Sequence, residues 1–147
     1  MKAKVVFGMI LCAVIIGCVN SATRFTLDPN EGIYIFQHDT SKDQRTAYYL
    51  AEEWLSSNIR NANDAITMRQ IETGTLVANP TMQIPVGIVQ FWCGYTVIIV
   101  CQDNKLATKF TVGKLDNGTY PSKNAMADIE SKFHALSISL RDYINNN

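Results

Sequence analysis

The sequence predicts an α+β fold in which an open antiparallel sheet carries two helices on one face, and three observations lead there. Two stretches, Ser41 to Asn58 and Ser122 to Tyr143, repeat apolar residues at three- and four-residue intervals, the period of a helix with one buried stripe. Between them, four β-rich runs are separated by short turns, so consecutive strands run antiparallel. Strands that follow one another, with a helix at each end of the run, place both helices on one side and leave the other side open.

The chain begins with a leader. Met1 to Lys4 is a short basic region, and Val5 to Gly17 is an uninterrupted apolar run of signal-peptide length, short of the ~20 residues a membrane-spanning helix needs. It ends in Ile15-Ile16-Gly17-Cys18, which resembles the bacterial lipobox. There the cysteine thiol is acylated first and the freed amine afterwards, giving a multi-chain membrane anchor at Cys18. The alternative is an ordinary secretory signal cut after Ser21, with Val19 at the minus-three position, which would discard Cys18. Residues 1–22 therefore read as signal and lipid-attachment region, and 23–147 as one α+β domain. The orientation expected is periplasm-facing.

With 147 residues, less that leader, the chain has room for one core. Lysine plus arginine equals aspartate plus glutamate at 13 each, so no basic footprint asks for nucleic acid. A hydrophobic content of 47% is that of a folded domain.

In the body, Gly32 to His38 is β-rich and bounded by turn residues, which predicts a first strand. Ser41 and Gln44 have the spacing of a capping box, and Ala47, Leu50, Ala51, Trp54, Leu55 and Asn58 form the stripe of the first helix. Ala65 to Glu72 and Thr75 to Ala78 flank Thr73-Gly74 as a hairpin. Pro80 and Pro85 make Asn79 to Val86 an irregular or edge segment. Ile88 to Gln102 and Leu106 to Leu115 flank Asp103-Asn104-Lys105 as a second hairpin. Ser122 caps the last helix, whose stripe is Met126, Ile129, Phe133, Leu136, Leu140 and Tyr143. Asn117-Gly118-Thr119 matches a glycosylation acceptor but reads as a turn.

Along the longest strand, Val89, Phe91, Cys93, Tyr95, Val97, Ile99 and Cys101 form an apolar row assigned to the helix side. The opposite row contains Trp92, Thr96, Ile98 and Val100, more apolar than a solvated face requires. Cys93 and Cys101 lie roughly 26 Å apart along one extended strand, too far for a disulfide, and are expected as buried free thiols.

Several segments together resemble a known family. They are Tyr48 to Leu55 (YYLAEEWL), Ile71 to Leu76 (IETGTL) and Tyr95 to Phe110 (YTVIIVCQDNKLATKF), within a match over Gly32 to Leu115. The chain is similar there to small Bacteroidota envelope lipoproteins classed as a domain of unknown function with a TATA-binding-protein-like fold. The resemblance implies a curved antiparallel sheet in the order β-α-β-β-β-β-α and implies no activity. That family often has a glycine-containing strand where this chain has Asn79-Pro80, so the register of that strand stays open.

Chemistry is sparse. His38 and His134 have no cysteine near them in sequence and are expected to be structural, and Glu52 and Glu53 diverge on their helix. No metal-ligand spacing, nucleophile elbow or phosphate-cradling loop is present, so no metal, cofactor or enzymatic activity is expected. A hydrolase would need an active site gathered from distant residues. Two non-enzymatic expectations remain. In one, the open face around Trp92, Thr96, Ile98 and Val100, with Lys109 and Thr111 from the next strand, binds an envelope protein or peptide. In the other, that face is covered by Asn79 to Val86 or by a second copy, and the protein is a self-associating structural lipoprotein.

Overall fold

The computed structural model describes residues 24–26, 32–86 and 88–147, so the expected leader, with Cys12 and the lipid-attachment residue Cys18, lies outside the described residues. In chain order the elements are β1 (Arg24–Thr26), β2 (Ile33–Asp39), α1 (Gln44–Asn58), the single helical turn α2 (Ala62–Ala65) and β3 (Ile66–Gln70). Then come β4 (Thr75–Ala78), β5 (Thr81–Val86), β6 (Val89–Gln102), β7 (Lys105–Leu115) and α3 (Lys123–Asn146). The strands make one antiparallel sheet in the order β1, β2, β7, β6, β4, β3, with β5 on the same edge of β6 as β4. Both long helices lie on one face, as the sequence predicts.

Two strands exceed the expected order. β1 extends the sheet beyond β2, and the proline-bearing segment is a strand in the plane of the sheet. β4 pairs with Val97 to Val100 and β5 with Val89 to Gly94, so the two share one edge and break at Asn79-Pro80. Pro80 has no amide hydrogen to give to a ladder, and its carbonyl instead accepts from the Tyr95 amide at 2.9 Å. The segment therefore does not cover the open face, which corrects one of the two covers considered for it.

The core lies between sheet and helices. Tyr34 and Phe36, alternate residues of β6 from Cys93 to Cys101, and Leu106, Phe110 and Val112 are buried against Ala47, Tyr48, Ala51, Trp54 and Leu55 of α1 and Ile129, Phe133, Leu140 and Ile144 of α3. Phe133 sits at its centre, stacked on Phe110 at 4.5 Å between ring centroids and tilted against Tyr95 at 5.1 Å. Cys93 and Cys101 are free and buried, as expected, and burial pushes the Cys101 thiol up to about 12.

Local details differ from the sequence reading. The helix side of β6 is fully buried from Cys93 and partly at Phe91, whose partner Ile84 is buried, while Val89 is 49% exposed. A 14-residue strand spans roughly 46 Å and the 15 residues of α1 reach only about 22 Å, so the β5, β6 tip runs past α1; α3 reaches β5, where Lys132 Nζ donates to the Gln83 carbonyl, and leaves the end at Val89 exposed. The cap of α1 is Asp43, not Ser41. Its carboxylate accepts from the Arg45 and Thr46 amides at 3.0 Å each, and the Thr46 bonds hold its carboxyl below the usual range. Ser41 is drawn away by Asn145, whose Oδ1 accepts the Ser41 amide, and Gln44 bonds the carbonyls of Ile71 and Glu72. In α3 the buried line is Ala125, Ile129, Phe133, Ser137, Leu140 and Ile144, with Met126, Leu136 and Tyr143 flanking it. Ser122 caps α3 as predicted, and Asn117 Oδ1 closes a turn onto Thr119.

Candidate functional site

The alternation that buries one side of each strand sets the composition of the other. On β2, Tyr34, Phe36 and His38 point into the core, so Ile33, Ile35 and Gln37 point away from the helices. On β6 and β7 the same parity sends Trp92, Thr96, Ile98 and Val100, and Ala107, Lys109 and Thr111, to that open face. Every residue singled out on these two strands therefore lies on one surface.

Register brings most of them into contact range. Ile98 is opposite Lys109, and Thr96 opposite Thr111. Continuing the first of these pairings outwards gives one row across five strands: Met68, Val77, Ile98, Lys109, Ile35. The neighbouring row is Gln70, Thr75, Val100, Ala107, Gln37. Lys109 is the sole formal charge in the two rows, and it pairs with no carboxylate among the described residues. No described helix packs on this face.

Trp92 lies apart, towards the β5, β6 tip, opposite Gln83 and 40% exposed. Between Trp92 and the central rows, Gly94 faces open space, and a shallow depression of about 290 Å³ is lined by Pro80, Thr81, Gly94, Thr96 and Thr111. Thr96 is half committed, because its hydroxyl donates to Asn79 Oδ1 at 2.8 Å. Ile33, Ile35, Val77 and Met68 belong to the same surface but were not among the residues singled out from the sequence. For the two isoleucines the signal was present in the strict alternation of GIYIFQH.

A serine and a histidine also meet, inside the core. His38 Nε2 lies 2.6 Å from Ser137 Oγ, whose other neighbour is Thr108 Oγ1 at 3.0 Å. A hydrolytic pair must present its hydroxyl to a substrate, and Ser137 is completely buried while His38 is 5% exposed. Burial also holds the His38 imidazole down, to a pKa of about 4. The pair is structural in this fold. His134 packs against the Phe36 ring at 5.3 Å. No group of three or more metal-ligating side chains occurs among the described residues, and none of their helices is long and apolar enough to cross a membrane.

No model of a known protein family matches the chain, and no curated protein sequence does. Solved structures do. A TBP-like protein from Parabacteroides distasonis superposes with a TM-score of 0.59 at 10% identity, over 80% of this chain and 96% of that one. A DUF4468 family protein from Bacteroides ovatus does so with a TM-score of 0.50 at 9% identity, over 80% of this chain and 85% of that one. At such identities the likeness is one of fold. The protein has a TBP-like α+β fold, with an open antiparallel sheet and its helices on one side. Fold alone assigns no activity.

Proposed function

We propose that this is a non-enzymatic protein of the bacterial cell envelope, anchored through lipid on Cys18 and facing the periplasm, which binds a protein or peptide on its open sheet face. The observation that carries the binding role is the row Met68, Val77, Ile98, Lys109, Ile35. Four apolar side chains flanking one unpaired cation, on a rigid sheet with no described element above them, supply the aliphatic anchors and the single charge from which a specific interface is built. The depression at Gly94 offers room for one side chain of the partner. The envelope role is supported by the lipobox-like Ile15-Ile16-Gly17-Cys18.

The test is photo-crosslinking in the native envelope from a reactive residue placed at position 98, with the same residue at exposed Glu53 of α1 as control. Capture of one protein or peptide from position 98 and not from 53 is the expected result. Capture of the chain itself replaces binding with the self-associating, structural role. Capture of nothing from either position removes the binding role.

A further inference from the structure

We propose that His38 is a proton-operated latch on α3, and that its protonation loosens the docking of this helix on the sheet. His38 is the next-to-last residue of β2, and its side chain enters the core where β2, β7 and α3 meet. Its Nε2 bonds Ser137 of α3, and Ser137 bonds Thr108 of β7. This three-residue chain of hydrogen bonds is the polar centre of an otherwise apolar helix contact.

The geometry selects one tautomer. His38 Nδ1 is buried and has no hydrogen-bond partner among the described residues, and neither has the buried Thr40 Oγ1 two residues on. A buried N–H without an acceptor costs more than a bare ring nitrogen, so the proton sits on Nε2 and is donated to Ser137 Oγ, which in turn donates to Thr108. Protonation would create a second N–H at Nδ1, with no acceptor, and a charge out of contact with water.

The surrounding charges do not rescue it. From α3, Arg141 and His134 oppose a positive His38, while Asp142 favours it. From β2 itself Asp39 favours it, and β7 offers Leu106 and Thr108, which do not titrate. Burial outweighs them all. The folded-state value lies below the ordinary one, so docking strength is complete above pH 6.5 and declines as pH falls towards 4. The helix rather than the sheet gives way, because α3 is the last element and packs on one side of the sheet and along α1, where Trp54 Nε1 donates to Ser139, while the strands keep their own ladders and α1 stays packed on β4 and β6. Opening of α3 would uncover Phe110 and Tyr95, on which Phe133 packs.

Amide exchange across the full chain tests this. Between pH 7 and pH 5, after correction for intrinsic exchange, α3 should lose protection on the order of 30-fold while β6 and β7 keep theirs. His38→Gln places an amide nitrogen near the Nε2 position, donates to Ser137 without titrating, and should leave α3 insensitive to pH. His134→Gln should retain the loss. Constant α3 protection in the natural chain, a parallel loss in His38→Gln, or helix and sheet opening together would overturn the latch. Should His38→Gln not fold, the natural chain decides: a loss of α3 protection that levels off at the ring-titration midpoint of His38 supports the latch, and one that does not follow that titration refutes it.

Discussion

Ile98 and Lys109 stand directly opposite one another across the β6, β7 ladder, in the middle of the face that no described helix covers. Neither contributes to the core, so changing them separates binding from folding. Ile98→Glu and Lys109→Glu should each cost no more than about 1 kcal/mol of stability, the scale of strand propensity. Both should abolish capture of a partner in the envelope. Urea unfolding combined with crosslinking from position 77 measures the two effects together.

Phe133 gives the opposite pattern. Its ring stacks on Phe110 and touches Tyr95 and Tyr34, so it joins α3 to β2, β6 and β7 at once. Phe133→Ala should cost about 3–5 kcal/mol, the range for removing a buried aromatic ring. Thermal unfolding followed by circular dichroism should show the midpoint falling by far more than for Ile98→Glu.

Gly74 closes the turn between the two strands of the first hairpin with a φ of +64°. A Cβ there would run into the backbone carbonyl of Cys101, and that strand cannot move aside because the Cys101 amide donates to Gly74 O at 2.8 Å. Gly74→Ala should therefore lose about 2–4 kcal/mol, combining left-handed strain with the steric clash. Equilibrium urea denaturation checks it, and a loss below about 1 kcal/mol would contradict the turn geometry.

Alkali should weaken the fold through its buried acids. The Cys101 thiol is pushed by burial from 9.0 to about 12, and the Tyr95 phenol from 10.0 to about 12. Both groups bind their protons more tightly when folded, so stability is complete below pH 9 and falls as pH rises towards 12. Denaturation at pH 10.5 against pH 8 should show a loss on the order of 2 kcal/mol. Cys101→Ala should flatten most of that slope.

Much of this architecture is legible in the sequence because its elements are strongly periodic. The α1 stripe and the alternation of β6 follow directly from residue spacing, and the turns at Thr73-Gly74 and Asp103-Asn104 carry their own chemistry. What escaped depends on long-range partners. Ser137 is polar and so drops out of an apolar stripe, yet it is completely buried because His38, 99 residues away in sequence, supplies its hydrogen bond. Ser41 has the spacing of a cap but is taken by Asn145, leaving the role to Asp43. Strand β5 contains Pro85 and lies on an edge, one of the two readings its prolines allowed, and what its sequence did not specify is the pairing with Val89 to Gly94 of β6. On the open face, Trp92, Ile98 and Lys109 could be placed from their own strands. Val77 and Met68 join them only through a register that one strand's sequence does not specify.

The most direct test of the central claim is carbene footprinting of the open face in two settings. Val77, Ile98, Val100 and Trp92 should label heavily in the purified chain at all concentrations, and become protected in the intact envelope while the exposed surface of α1 does not. Equal labelling in both settings would contradict a docking surface, and protection that grows with the concentration of the pure protein would show the face to be a contact between copies of the chain itself.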